Sequence, residues 1–424
     1  MSEKRYLFIR FVVLICLFVA LGSNIKQFIP FVPMHTDEVS WFFHIDAFKK
    51  AVIEKDITSD FWQSYESYDH PPLVKYIYGV YMWTRDAHVF MERDVLEHEW
   101  GRWAIYTNAH FIDEGFPVFR SYILRLRDIN WFALMGTLVG FYVFLVTFYV
   151  HWVVAMTGVI FLAHNSLFLQ EMIHATSDAY MVCFMIWSLV LYMVGMQKKN
   201  DALIYAAFFL SAASVSSKLS GIVSCIVLCT YKLAQIISEE RKRKNMAIQT
   251  LLMVCVIFGV WVAINPTLYT APIKNTILYA TFRIDQTQRI AYLDQDSALP
   301  DIASRVRAVW CTLVQHDCVG FFEKGTFTVV FGINALLILG GLFYLFQHSA
   351  SRHKERLLVF IFLFVTIVWT TWFIPLHYGR YYLPIQIGVF FISTCGIETI
   401  RLITLQILKN KTPVFRRGIF DKTS

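Results

Sequence analysis

An all-α polytopic membrane protein is the fold this 424-residue sequence predicts, on three observations. Hydrophobic residues are 57% of the chain and charged residues 16%, where a soluble domain carries about 25% charged. About ten apolar runs have the roughly 20-residue length that crosses a bilayer, more than a soluble core's buried helices supply. Basic residues gather on one side of those runs, as in loops that stay in the cytoplasm.

The runs are 6–24, 129–149, 152–170, 178–196, 202–217, 219–237, 246–265, 326–347, 357–374 and 381–400. The first follows Lys4 and Arg5 and leads into Ile25-Lys26-Gln27-Phe28 without a small-x-small cleavage site, so a retained anchor is expected. With ten spans, Lys198-Lys199, Arg241-Lys242-Arg243-Lys244, Arg352, Lys354 and Arg356, and Lys409, Lys411, Arg416 and Arg417 all share the side of Lys4. Both termini are then expected in the cytoplasm. The long loops 25–128 and 266–325 face outward, across a bacterial inner membrane or into the endoplasmic reticulum. This sidedness accounts for the net charge of +7, and no nucleic-acid partner is implied. One membrane domain over 1–424 is expected, with no soluble domain at either end.

Cys16, Cys183, Cys225, Cys229, Cys255 and Cys395 lie in or beside spans, where a thiol is a small apolar filler. Cys311 and Cys318 share the second outer loop. Their spacing fits either a disulfide in an oxidising compartment or two free thiols on successive helical turns. No metal-type cysteine spacing occurs.

Chemistry concentrates in the first outer loop. Met34-His35-Thr36-Asp37-Glu38-Val39-Ser40-Trp41 is followed about thirty residues later by Tyr68-Asp69-His70-Pro71-Pro72-Leu73-Val74-Lys75. Between Val39 and Glu54, Trp41, Phe42, Ile45, Phe48 and Val52 recur at helical steps, which predicts an interfacial helix with its aromatic face down. Thr36 can cap it, and Asp37 and Glu38 then suit its dipole; the same helix holds a carboxylate at fixed depth to act as a base. Pro71 and Pro72 end one element and pre-set the next. Asp69 and His70 are caps on one reading; on the other, His70 and Lys75 are fixed beside an anionic headgroup. Tyr76, Tyr78, Tyr81 and Trp83 fit an interfacial aromatic belt or a lipid groove.

These two segments resemble the first-loop motifs of the protein O-mannosyltransferase and aminoarabinose transferase relatives, which are GT-C glycosyltransferases. That family carries an acidic motif after its first span, then a His-Pro-Pro-Leu or Lys-Pro-Pro-Leu turn. Further likenesses follow in the family's order. Arg125-Leu126-Arg127 leads into the second span, and His164-Asn165-Ser166 through His174-Ala175-Thr176-Ser177-Asp178-Ala179 resembles an outer turn ending in aspartate. Ser216-Ser217-Lys218-Leu219-Ser220-Gly221 resembles a lysine-glycine turn, and His377-Tyr378-Gly379-Arg380-Tyr381-Tyr382-Leu383-Pro384 a late Arg-Tyr-x-x-Pro segment. The likeness covers most of the membrane region. It departs where Ile173-His174 replaces an arginine before the outer-turn aspartate, and where the family's large insert and C-terminal soluble domain are expected.

The resemblance implies a GT-C fold and transfer of a sugar from a polyprenyl-phosphate donor to a hydroxyl acceptor: protein Ser/Thr, a glycolipid or a polysaccharide. It implies Asp37 as the base, with Glu38 sharing that role or positioning the acceptor, and Asp178 facing the same cavity. Arg380, His70, Lys218, Lys75, and Arg125 or Arg127 are the implied partners of the lipid phosphate. The bland alternatives are snorkelling for Arg380 and Lys218 and capping for Asp178. Arg283, Asp285, Arg289, Asp294, Asp296 and Asp301 of the second outer loop suit either a cover over the donor or a solvated loop. A divalent metal between Asp37, Glu38 and another carboxylate stays open; no other cofactor is implied. A transporter or flippase for lipid-linked sugars, and a non-catalytic glycolipid-binding relative, are the competing readings. The first predicts inverted repeats and midplane charges, whereas the unusual charges here sit at the boundary.

Overall fold

The computed structural model describes residues 3–64, 67–68, 70–85, 117–238, 243–293, 295, 298–314, 327–347, 353–376 and 378–411. Among them the structure is helical, with a single isolated β-bridge between Ala298 and Leu376. Cys311, Cys318, Asp69, Asp294, Asp296, His377 and the basic residues Arg241, Lys242, Arg352, Arg416 and Arg417 lie outside the described side chains.

In chain order the helices are α1 (Glu3–Phe28), α2 (Thr36–Phe43), α3 (Pro72–Arg85), α4 (Pro117–Thr147), α5 (Trp152–Ala163), α6 (Ser166–Ile173), α7 (Asp178–Lys198) and α8 (Asp201–Ser217). Then come α9 (Ile222–Ser238), α10 (Arg243–Ile264), α11 (Pro272–Leu293), α12 (Ile302–Val314), α13 (Phe327–Gln347), α14 (His353–Phe373) and α15 (Leu383–Lys411).

Each of the ten apolar runs contains a helix, but they are not ten equal spans. Among the described residues seven helices are long and apolar enough to cross a membrane. The third run is a bent pair, α5 and α6 meeting at 70°. Asn165 causes the break: its side-chain oxygen accepts from the Phe168 amide at 2.9 Å, starting a new helix. The fifth run, α8, has 17 residues, about 25 Å at the helical rise, short of the ~30 Å hydrocarbon thickness. Asn200 caps its start, accepting from the Ala202 and Leu203 amides. The eighth run is α13, a 21-residue helix.

Burial sorts the spans into an inner and an outer set. In α15 and α7, 78% and 67% of the apolar window is buried within the protein, against 17% in α1 and 11% in α10. The outer helices turn Phe8, Phe11, Leu251 and Leu252 toward lipid. The central α7 packs on α8 and α4, and α15 packs on α13 through close backbone approach. A side chain on Gly341 would strike the Ile392 carbonyl, and one on Gly396 the Leu337 carbonyl; Thr399 adds a hydrogen bond to the Gly340 carbonyl at 2.9 Å. Small residues let membrane helices meet this closely.

The segment after α1 is helical in three pieces instead of one. α2 ends at Phe43, a short turn spans Asp46–Phe48, and a π-helical turn covers Lys49–Ile53. Its Trp41, Phe42, Ile45 and Phe48 are each 1% exposed and pack into the main core, not outward into an interface. Gly79 of α3 admits Phe48 at a distance no larger side chain would allow. The cap of α2 is His35, not Thr36. Its ring accepts from the Asp37 amide at 3.2 Å, while Glu38 accepts from the His35 amide at 2.8 Å.

Candidate functional site

One end of the bundle collects the C-terminus of α1, all of α2, the N-terminal half of α4, the start of α7, the end of α8 and the start of α15. Most of the ionisable residues singled out in the sequence meet there, as three pairs.

Glu38 and Arg127 form the deepest pair, 0% and 1% exposed. Arg127 donates to both Glu38 carboxylate oxygens, at 2.7 and 2.6 Å, and to the carbonyls of Ile29, Val32 and Pro33 at 3.2, 2.7 and 2.9 Å. That uses all five donors a guanidinium has. Glu38 also accepts from the Ala175 and His35 amides, at 2.7 and 2.8 Å. Burial alone would raise the Glu38 pKa; the hydrogen bond and charge of Arg127, with the Ala175 amide, hold it below its ordinary value. The pair therefore ties the exit of α1 to the turn before α7, and Arg127 keeps no donor for a phosphate.

Asp178 and Lys218 form the second pair at 2.6 Å, 1% and 6% exposed. Thr176 donates to the other Asp178 oxygen at 3.1 Å. The lysine ammonium lies 5.3 Å from the centre of the Tyr381 ring, a cation–π distance.

Asp37 and Arg380 form the third pair, and it is the open one. The arginine Nη1 donates to Asp37 Oδ2, with 17% and 35% of the two side chains exposed. Arg380 lies over Tyr378 and Tyr381, at 5.4 and 5.7 Å from the ring centres. Burial works to raise the Asp37 pKa, but Arg380 and then His35 overcome it and keep the carboxyl below the usual carboxylate range. The Arg380 turn is fixed by α6, because Gly379 sits against Leu167 and Glu171 with no room for a side chain. The second long loop braces the same turn. Leu299 donates to the Pro375 carbonyl at 2.7 Å, and Ala308 and Val309 of α12 pack with Tyr382 and Ile385.

The remaining candidates fall around this centre. His70 stacks on Trp41 at 4.6 Å and meets His44 edge-on at 5.8 Å. Burial, then the charges of Arg283, His44, Lys218 and Lys75, hold its pKa well below 6.5, which favours the neutral imidazole. Lys75 is 2% exposed in the first turn of α3. Arg125 lies over Tyr122 at 5.6 Å. It is two residues from Arg127, roughly 200° around the helix, and is not gathered with the three pairs. Of the tyrosines, Tyr78 is fully buried, and Trp83 is 50% exposed.

Several residues in the network carry no catalytic motif. Asn130, 0% exposed inside a span, donates to the His174 and Thr176 carbonyls at 2.5 and 3.2 Å and accepts from Tyr78 at 2.7 Å. An amide inside an apolar run was the available signal, since burying one requires partners. His174 lies 5.5 Å from the His35 ring and contacts the Pro33 carbonyl at 3.2 Å. Tyr381 touches both Lys218 and Arg380, and only its place in the late Arg-Tyr segment pointed to it.

A divalent cation finds no matching donor set among the described residues. No three His, Cys, Asp or Glu side chains converge, and Asp37, Glu38 and Asp178 each face a cationic side chain.

Among the described residues the architecture is that of an all-helical, multi-pass membrane bundle. Among solved structures, the chain is similar to the oligosaccharyltransferase of Archaeoglobus fulgidus in its apo form, with a TM-score of 0.50 at 11% identity over 94% of this chain. The same archaeal protein tethered through a disulfide to an acceptor peptide with an NVT sequon gives a TM-score of 0.49 at 10% identity over 97% of this chain. In both cases this chain spans 52% of the archaeal chain. No family model matches the sequence, and no curated protein matches it. What is shared is the fold.

Proposed function

We propose that this protein is a glycosyltransferase that moves a sugar from a polyprenyl-phosphate donor to a hydroxyl acceptor at the outer or luminal membrane face. The observation that carries the reading is Asp37: a carboxylate a third exposed, facing Arg380, whose guanidinium lies over the same Tyr381 ring that Lys218 approaches. A solved oligosaccharyltransferase with this fold supports glycosyl transfer as the reaction class. Basic clusters that share one side when all ten apolar runs cross support the sidedness.

In this mechanism the acceptor oxygen attacks the anomeric carbon and its proton passes to Asp37. The new carbon–oxygen bond forms as the bond to phosphate breaks, with inversion. The departing polyprenyl phosphate keeps the electron pair and is stabilised by Arg380 and Lys218. Asp178 holds Lys218 in place, and Tyr381 carries both cations. Glu38 and Arg127 act as positioning residues. His70, uncharged, offers a hydrogen bond rather than a charge, with Lys75 behind it. The donor sugar is a hexose or pentose; mannose and an amino-pentose are the two the motif resemblance favours.

Reconstituted protein given a panel of polyprenyl-phosphate sugars tests this. Transfer from one donor that vanishes in Asp37→Asn supports the reading. Donor that is carried across the membrane intact, or no interaction with any donor, overturns it.

A further inference from the structure

The three ion pairs leave no cation unmatched by a carboxylate. A phosphate that engages one of these cations competes with its carboxylate, and the three pairs differ in how readily they yield. Glu38–Arg127 is buried with every guanidinium donor in use. Asp178–Lys218 is buried, and its carboxylate is held a second time by Thr176. Asp37–Arg380 is the most exposed, and its arginine stands on two tyrosine rings that support the guanidinium whichever anion it faces. Arginine suits a phosphate better than a lone carboxylate oxygen, because its planar fork donates two parallel hydrogen bonds. Being the least buried of the three, this pair also costs least to separate, because water reaches part of the charge left behind.

We infer that the Asp37–Arg380 pair is a latch opened by the phosphate of the donor: Arg380 transfers from Asp37 to the phosphate, and only then is Asp37 released to accept a proton. The inference rests on the proposed glycosyl transfer and adds an order to it. Without donor, Asp37 is engaged by Arg380 and held in its least basic state. With donor bound, its oxygen is free for the acceptor hydroxyl and has lost the positive charge that kept it weakly basic. Donor therefore binds first and acceptor second. No bond is made or broken in the exchange itself; one ion pair replaces another.

The test uses farnesyl phosphate, a short polyprenyl phosphate with no sugar, titrated into the purified full chain. If the latch exists, Asp37 competes with the probe for Arg380. Asp37→Asn then binds it about fivefold or more tightly than wild type, while Arg380→Gln binds it more weakly. In the Asp37→Asn/Arg380→Gln double variant the gain shrinks to less than about twofold, although Lys218 still supplies charge. Unchanged or weaker binding by Asp37→Asn overturns the latch. So does a gain that persists without Arg380, since removing any nearby negative charge would then explain it. Probe binding that needs Arg380 but ignores Asp37 overturns the latch and leaves glycosyl transfer standing. Wild type that binds no probe overturns both. Asp37 is a third exposed, and matched melting temperatures check that its amide variant folds.

Discussion

Asp37 and Glu38 are consecutive in sequence, yet one carboxylate is 35% exposed beside Arg380 and the other is sealed against Arg127 with no exposure at all. A single residue step divides them, because successive residues on α2 point about 100° apart. The capping arrangement at His35 fixes which one faces the core. On the proposed mechanism, reaction and architecture fall to neighbouring residues.

The two carboxylates respond oppositely to substitution. Asp37→Asn is expected to lower transfer by about 10²- to 10⁴-fold with little change in melting temperature. Glu38→Ala strands the Arg127 charge and destabilises the fold by about 3–5 kcal/mol. Transfer rates and thermal melts of the two variants, side by side, check this. Equal melting temperatures would remove the structural role given to Glu38.

Glu38 also sets a pH dependence. Its folded pKa lies below the ordinary 4.5, so the unfolded chain takes up this proton more readily than the folded one. The stability it contributes is complete above about pH 4.5 and is lost as pH falls through the folded value. Wild type is expected to lose melting temperature more steeply than Glu38→Gln between about pH 5 and pH 3. Parallel slopes would show that this carboxyl is not held by Arg127 in solution.

The buried Asp178–Lys218 pair predicts strong coupling. Either Asp178→Asn or Lys218→Met alone leaves one partner of a buried pair unmatched and costs about 3–5 kcal/mol. The double substitution recovers much of that stability but not transfer, because the lysine proposed to meet the phosphate is gone. A double-mutant cycle on melting free energies measures it. Additive single effects would contradict the contact.

Tyr381 acts through its ring. Tyr381→Phe keeps the aromatic face under Lys218 and Arg380 and is expected to transfer at near wild-type rates. Tyr381→Leu loses about 0.5–2 kcal/mol of cation–π support, which appears as a donor KM raised roughly 2- to 30-fold. A phenylalanine variant as impaired as the leucine one would shift the role to the hydroxyl.

Much of the helical layout was legible because apolar runs of membrane length leave few alternatives. What periodicity did not reveal were the interruptions. The continuous helix expected over 39–54 breaks after Phe43, since Trp41 and Phe48 turn into the protein instead of lying along one outward face. The bend at Asn165 was signalled only by an amide that can cap, which is ambiguous until its partner amide is known. At the site, the residue types were readable and their pairing was not. Nothing local to Arg127 says that its five donors are consumed by Glu38 and three carbonyls, and nothing local to Arg125 says that it faces elsewhere. Charge matching across 40, 89 and 343 residues is a tertiary property.

The separation of Asp37 from Arg380 has a consequence for biosynthesis. The two stand 343 residues apart, one in the first loop and the other at the entry to α15. At roughly 5–20 residues per second of translation, tens of seconds pass between them. On the proposed mechanism, a nascent chain stalled anywhere in that interval holds Asp37 without Arg380 and is expected to be inert toward the lipid pool around it.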